Sequence, residues 1–325
     1  MILLPKSGRT AIVLCALCAS TVVQGALAAQ LADRNQAGAD LRGADLAHAN
    51  LDGVVLTGAT LVGADLRGAS LRGADLREAY LREVRARGAD FSGAQLGGSD
   101  LTRADLRGAK FESANLALAV LDSARLDNAV LRKAFLPGAR LIKAQLSKVD
   151  FEAAVLSAAD LTQAMLAGAN FRSADLGASG LGQPAPRGAS LVGADLREAD
   201  LTGANLRSVN LREAILTGAV LKQAQLGQAD LIWVRARGAD FSEAVLSWSL
   251  AYGGDFRSAV FRNARLISAQ FTGADLTGAD LRGATLDGTD FKQANLANVD
   301  VTGADIRRVL SNAARNPPAV FLKGQ

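Results

Sequence analysis

Cysteine, histidine and aromatic residues are scarce in this chain. Of 325 residues, two are Cys, one is His, and Phe, Trp and Tyr together make 5%. Both cysteines, Cys15 and Cys18, lie near the start, so the rest of the chain has neither disulfide nor thiolate chemistry. No nucleophile–base set can be assembled around His48, which falls at a surface turn position. A phosphate-cradling loop and the calcium-binding nonapeptide are both missing. The expectation is therefore no catalytic, cofactor-binding or metal-ligating residue, and no enzyme. With so few rings, the core must be built from Leu and small residues in a recurring arrangement, which suggests an array and not a globule.

The first thirty residues, MILLPKSGRTAIVLCALCASTVVQGALAAQ, have a cationic start at Lys6 and Arg9, a short apolar run from Ala11 to Val23 and a small-residue exit at Ala26-Leu27-Ala28. That run is too short to cross a bilayer comfortably and reads as a secretory signal cut after Ala28. The expected compartment is periplasmic or extracellular, with membrane contact only through this leader. Losing Lys6 and Arg9 lowers the formal charge from +4 to +2, so the basic precursor overstates any affinity for polyanions.

From Leu41 to Ile306 a large apolar residue recurs at every fifth position without a slip, in 54 cycles, with Leu or Phe at all but Ala86, Pro186, Ala236, Ala251, Val301 and Ile306. Two residues before each stands a small residue, usually Ala, so the unit is A-(D/N)-(L/F)-x-x. An α-helix would scatter a five-residue period around its cylinder. A straight strand would send successive Leu residues to opposite faces. Each unit must therefore contain a bend that returns the next Leu to the same side. The solution is a hollow coil whose stacked turns pair as parallel ladders, with Gly at the bends and Asp or Asn hydrogen-bonding nearby backbone groups.

Stretches such as ADLRGADLAHANL, ADLREADLTGANL and ADLTGADLRGATL resemble the pentapeptide-repeat family, and the resemblance runs over 39–306. It implies an all-β fold, a right-handed quadrilateral parallel β-helix with four pentapeptides per coil, about 13 coils and a rod on the order of 65 Å long. The domain reading is a signal peptide at 1–28, a lead-in at 29–38, the β-helix at 39–306 and a C-terminal helical cap and tail at 307–325. Within the last, RRVLSNAARN reads as a short helix covering the open coil, and dimerisation through it is left open. The family's best understood members mimic DNA and bind a type II topoisomerase, but this chain lacks their strong negative field and carries an export leader.

Several irregularities break the pattern. At 177–188 the text GASGLGQPAPRG, with Pro184 and Pro186, reads as a bulge or surface loop on one continuous core. The nonapeptide VRARGADFS occurs at 84–92 and again at 234–242. Its 150-residue separation, seven and a half coils in the family geometry, would put the copies on opposite faces, with Ala86 and Ala236 marking a tolerated kink. From 111 to 156 Gly is scarce, Val120, Val130, Phe135, Ile142 and Val155 take outward positions, and Phe135 should stack on Val155 as an apolar patch. Ile232, Trp233, Trp248, Leu250 and Tyr252 form an aromatic cluster of the kind that anchors interfaces or stacks on sugars. The alternative is that these rings cover a distortion at Ala251 and Gly254. Arg67, Arg87 and Arg107 should form a column balanced by neighbouring Asp, which argues against nucleic acid as a partner.

The reading is an exported, non-enzymatic rod that binds a protein or envelope polymer, with Trp233, Trp248, Tyr252, Ile232, Phe135 and Val155 as candidate contacts and a homodimer allowed for. The alternatives are a DNA-mimic topoisomerase-binding protein, if the chain stays in the cytoplasm, and a β-helical carbohydrate-active enzyme.

Overall fold

The computed structural model describes residues 35–178 and 188–322. The leader with its cleavage point, the first part of the lead-in, and Pro184 and Pro186 lie outside the described residues. The described chain is a right-handed quadrilateral parallel β-helix. Each pentapeptide supplies one bridging residue, one inward central residue and one turn.

The turn is set by local chemistry. The N–H of the small residue donates to the carbonyl of the preceding central residue, as Ala44 does to Leu41 at 3.1 Å. Among the described residues the second turn residue is left-handed in every repeat except at Ala178 and Gly188, whether it is Gly43 at φ 63° or Glu78 at φ 58°. Positive φ at that position alone defines a type II turn. Asp or Asn at the bridging position accepts the N–H two residues on, as Asp40 does from Arg42 and Asn50 from Asp52. This is the bend-stabilising role expected of those side chains.

Bridges join each bridging residue to the one twenty further on, or thirty across 177–188, so four ladders run the length of the rod. Face I carries Asn115, Phe135, Val155 and Asp175; face II carries Asn210, Asp230, Leu250 and Gln270; face III carries Asp65, Arg85 and Asp105; face IV carries Asp90, Lys110 and Val130. Leu41 N–H donates to Thr60 C=O at 2.7 Å, and Thr60 N–H returns to Ala39 C=O at 2.8 Å. Backbone groups buried by stacking are satisfied in this way by the coils on either side.

Inside, the central Leu and Phe residues and the small partners are almost wholly buried along the rod. Phe91 stacks on Phe111, Phe151 on Phe171 and Phe241 on Phe261 at centroid separations of 4.9, 5.0 and 4.9 Å. The three internal positions where Ala replaces Leu are each followed five residues later by Phe: Ala86 by Phe91, Ala236 by Phe241, Ala251 by Phe256. The larger ring offsets part of the volume that the missing side chain leaves. There is no kink: the twenty-residue ladder runs unbroken through Arg85 and Arg235. Gly254 likewise stands where Ala is usual, because a Cβ there would lie 2.5 Å from the Phe256 ring.

At 177–188 the core is continuous. Asp160 pairs with Ser190, thirty residues on, and the offset returns to twenty from Ser190 to Asn210. The chain between Ala178 and Ala189, at the corner after face I, is therefore ten residues longer than the coil requires. Leu181 and Pro186, counted by the five-residue period as central residues, lie outside the described residues. Because ten is two periods, the sequence register hides the excursion.

The C-terminal boundary differs from the expectation. Residues 307–315 continue the coil instead of forming a helix: Leu310 N–H donates to Thr289 C=O at 3.0 Å and Arg315 N–H to Ala294 C=O at 2.8 Å. Val309 and Ser311 keep the inward positions. The preceding coil offers these residues a ready ladder edge, which outweighs their modest helix propensity. Pro317 and Pro318 end the coil. The short helix lies later, a 3-10 turn at Ala319–Leu322. Its Phe321 is buried and stacks on Phe291 at 5.9 Å, closing part of the open end.

Candidate interaction surface

The aromatic cluster assembles around face II. Leu250 bridges Asp230 and Gln270 on that face. Trp248 stands at the corner where the chain enters it, and Tyr252 at the corner where the chain leaves. Trp233 N–H donates to Tyr252 C=O at 3.0 Å, which places Trp233 on the exit corner one coil earlier, beside Ile232. The two indoles thus frame face II from opposite edges, 63% and 62% exposed. Gly253 explains how Trp233 lies: a Cβ there would come within 2.3 Å of the indole, so the ring rests on the bare backbone of the next coil. The Tyr252 hydroxyl donates to Gln270 Oε1 at 3.4 Å.

Both tryptophans occupy the left-handed turn position, at φ 57° and 64°. A bulky side chain there costs about 1 kcal/mol relative to Gly. That conformation is shared by the second turn residue throughout the rod and directs both rings outward. The ladders run unbroken through Leu250 and Asp255, so the rings do not cover a break in the coil.

Phe135 and Val155 do pair on adjacent coils, on face I. The other apolar residues named with them are dispersed, with Val120 on face II, Val130 on face IV and Ile142 at the corner after face II. The patch is extended instead by Leu118, which the five-residue pattern did not single out. It is 68% exposed at the corner after face I and lies over Gly138. Its signal in the sequence was a Leu at a turn position where Gly or a polar residue is usual.

Electrostatically the rod is a set of closed pairs. Where the unit reads D-L-R, the guanidinium turns back onto the carboxylate two residues earlier: Arg67 on Asp65 at 2.6 Å, Arg197 on Asp195 at 2.6 Å, Arg282 on Asp280 at 2.7 Å. The Arg67 guanidinium beside Asp65 holds its carboxyl below the usual range, against the opposing effect of burial. Asp105, Asp195, Asp255 and Asp280 are lowered in the same way, first by the hydrogen bond from Arg107, Arg197, Arg257 and Arg282 respectively. Arg67, Arg87 and Arg107 follow one another up a corner, as their spacing implied. Only Arg87 of the three lacks an Asp two residues before it.

Among the described residues no group of three or more His, Cys, Asp or Glu could hold a metal ion, and no helix is long and apolar enough to cross a membrane. His48 is exposed at a turn, its ring lying over Gly68.

With its lumen filled by its own side chains, the molecule is a β-solenoid. More narrowly, the chain belongs to the pentapeptide-repeat family. The family model described as pentapeptide repeats (8 copies) matches overlapping stretches that cover 37–178 and 187–310. Solved structures similar to it include HetL, a pentapeptide repeat protein involved in heterocyst differentiation regulation from the cyanobacterium Nostoc sp. Strain PCC 7120. It is 26% identical over 88% of this chain and 93% of its own, with a TM-score of 0.29. Another is QnrB1, a plasmid-mediated fluoroquinolone resistance protein, 18% identical over 64% of this chain and 96% of its own, TM-score 0.38. A pentapeptide repeat protein of the Arabidopsis thaliana thylakoid lumen is 30% identical over 39% of this chain and 71% of its own, TM-score 0.23. No curated protein sequence gives a significant match.

Proposed function

We propose that this protein is an exported, non-enzymatic rod that binds a protein or an envelope polymer through the face framed by Trp233 and Trp248. The observation that carries this reading is the pair of exposed indoles on opposite edges of face II, with Leu250 between them and Tyr252 beside Trp233. Indoles bring large, rigid contact area at little entropic cost and recur as the energetic centre of interfaces. The polar groups on the same face, Asn210, Asp230 and Gln270, supply hydrogen-bonding partners between the rings. A surface of this kind is complementary to an extended partner, either a polypeptide segment or a glycan strand.

Export rests on the leader, with its Lys6 and Arg9, short apolar run and Ala26-Leu27-Ala28 exit. The charge pattern favours this reading over DNA mimicry, because a mimic needs rows of uncompensated carboxylates and the Asp residues here are repeatedly closed onto Arg. The test is fractionation of the native host with mass spectrometry of the mature N-terminus. Ala29 as first residue outside the cytoplasm supports export; intact Met1 in the cytoplasm overturns it.

A further inference from the structure

The ten-residue excursion changes the relation between the two VRARGADFS copies. Following the ladder from Arg85 through Asp105, Arg125, Gln145, Met165, Asp195 and Ile215 reaches Arg235 in seven steps. Both copies therefore stand on face III in the same orientation, not on opposite faces. At 4.7–4.9 Å between stacked strands they are about 34 Å apart along the rod.

Each copy places two cations where the D-L-R units place an anion and a cation. In D-L-R units the side chains of the bridging residue and of the first turn residue touch, as Arg107 Nε donates to Asp105 Oδ1 at 2.7 Å. In the nonapeptide both positions are Arg: Arg85 with Arg87, and Arg235 with Arg237. Every other bridging cation followed by a complete turn has a different neighbour at the turn: Glu112 after Lys110, Asp127 after Arg125, Ile142 after Arg140 and Ile267 after Arg265. Two guanidiniums two residues apart on one corner of the rod repel one another unless an anion lies nearby.

The surrounding charges do not supply that anion fully. Arg85 reaches Asp65 of the preceding coil at 3.3 Å, but Asp65 is already held by Arg67 at 2.6 Å. The equivalent place beneath Arg235 is Ile215. On the following coil Asp105 and Asp255 are closed onto Arg107 and Arg257, both at 2.5 Å. All four arginines of the two dyads are exposed.

We infer that Arg85 with Arg87, and Arg235 with Arg237, are two oxyanion sites that together hold a flexible linear phosphate polymer along face III. An oxyanion bound between the two guanidiniums takes the place of the carboxylate that the other repeats carry, and forked guanidinium donors match its geometry. Two such sites about 34 Å apart on one rigid rod favour a ligand long enough to reach both, because the second contact is then intramolecular. The inference is independent of the Trp233 and Trp248 face and of export.

The test is calorimetric titration of the full chain with long-chain inorganic polyphosphate, tripolyphosphate, duplex DNA and anionic phosphatidylglycerol vesicles. The variants Arg85→Asp and Arg235→Asp rebuild the ordinary Asp–Arg pair with Arg87 and Arg237, so their fold is kept; circular dichroism and melting temperature check this. Long-chain polyphosphate is expected to bind at least tenfold more tightly per molecule than tripolyphosphate. Either single variant should lose about tenfold of that affinity, and the double variant nearly all of it. Unchanged binding by the double variant overturns the proposal, as does tripolyphosphate binding as tightly as the long chain. Duplex DNA or vesicles binding more tightly than polyphosphate at equal phosphate would also overturn it, in favour of a general polyanion surface.

Discussion

The backbone N–H of Ala189 donates to the carbonyl of Leu176 at 2.8 Å, closing across thirteen positions of sequence the turn bond that elsewhere spans three. The coil thus passes the excursion without losing its lumen, its ladder or its period. Deleting 179–188 should leave the far-ultraviolet spectrum intact. It should also raise stability by about 2 kcal/mol, the closure entropy of a ten-residue loop. Chemical denaturation of the deletion variant measures this, and a collapse of cooperativity would show that those residues support the core.

Inside the rod, Gly254 and Phe256 are matched in volume. Gly254→Ala should cost about 1–3 kcal/mol by overpacking, and Phe256→Leu made in the Gly254→Ala background should recover most of that loss. A double-mutant cycle of urea midpoints reads the coupling. Additive losses would mean that the two positions do not share space.

Lys133, Lys143 and Lys148 hold the left-handed turn position at φ 55°, 58° and 56° in the region where Gly is scarce. Replacing each with Gly should stabilise the rod by about 1 kcal/mol, the left-handed penalty relieved. The triple variant should melt at a higher temperature; a lower one would show that lost side-chain contacts outweigh backbone strain.

Carboxyls held down by Arg in the folded state contribute stability above their free-chain value near about pH 4, and that stability is lost as pH falls below it. Asp65, Asp105, Asp195 and Asp255 all belong to this class. The melting temperature should be flat above about pH 5 and decline on further acidification. Arg67→Gln should make the decline shallower, because Asp65 then returns toward its free-chain value. A melting temperature that rises on acidification would contradict the sign.

The period of five made the coil, its turns and its Leu–Ala lumen legible, because each bend must return one large residue to the same side. It could not show an insertion of two whole periods, and so it set the two nonapeptides on opposite faces. Nor could it show that 307–315 would follow a ladder edge when read as an isolated helix-like string. Trp233, Trp248 and Tyr252 were visible as rare residues, yet their arrangement across face II depends on which corner each turn occupies. Leu118 escaped notice because Leu is the commonest core residue, and only its place at the turn sends it outward.

The most direct test of the binding role is co-sedimentation of the purified protein with the host's isolated cell envelope, comparing wild type with Trp233→Ser/Trp248→Ser and with Thr277→Ser at the corner after face III. Wild type and the Thr277 variant should sediment alike, while the tryptophan double variant should lose at least tenfold in affinity with its melting temperature maintained. Equal sedimentation of all three, or none by any, would contradict a binding surface on face II.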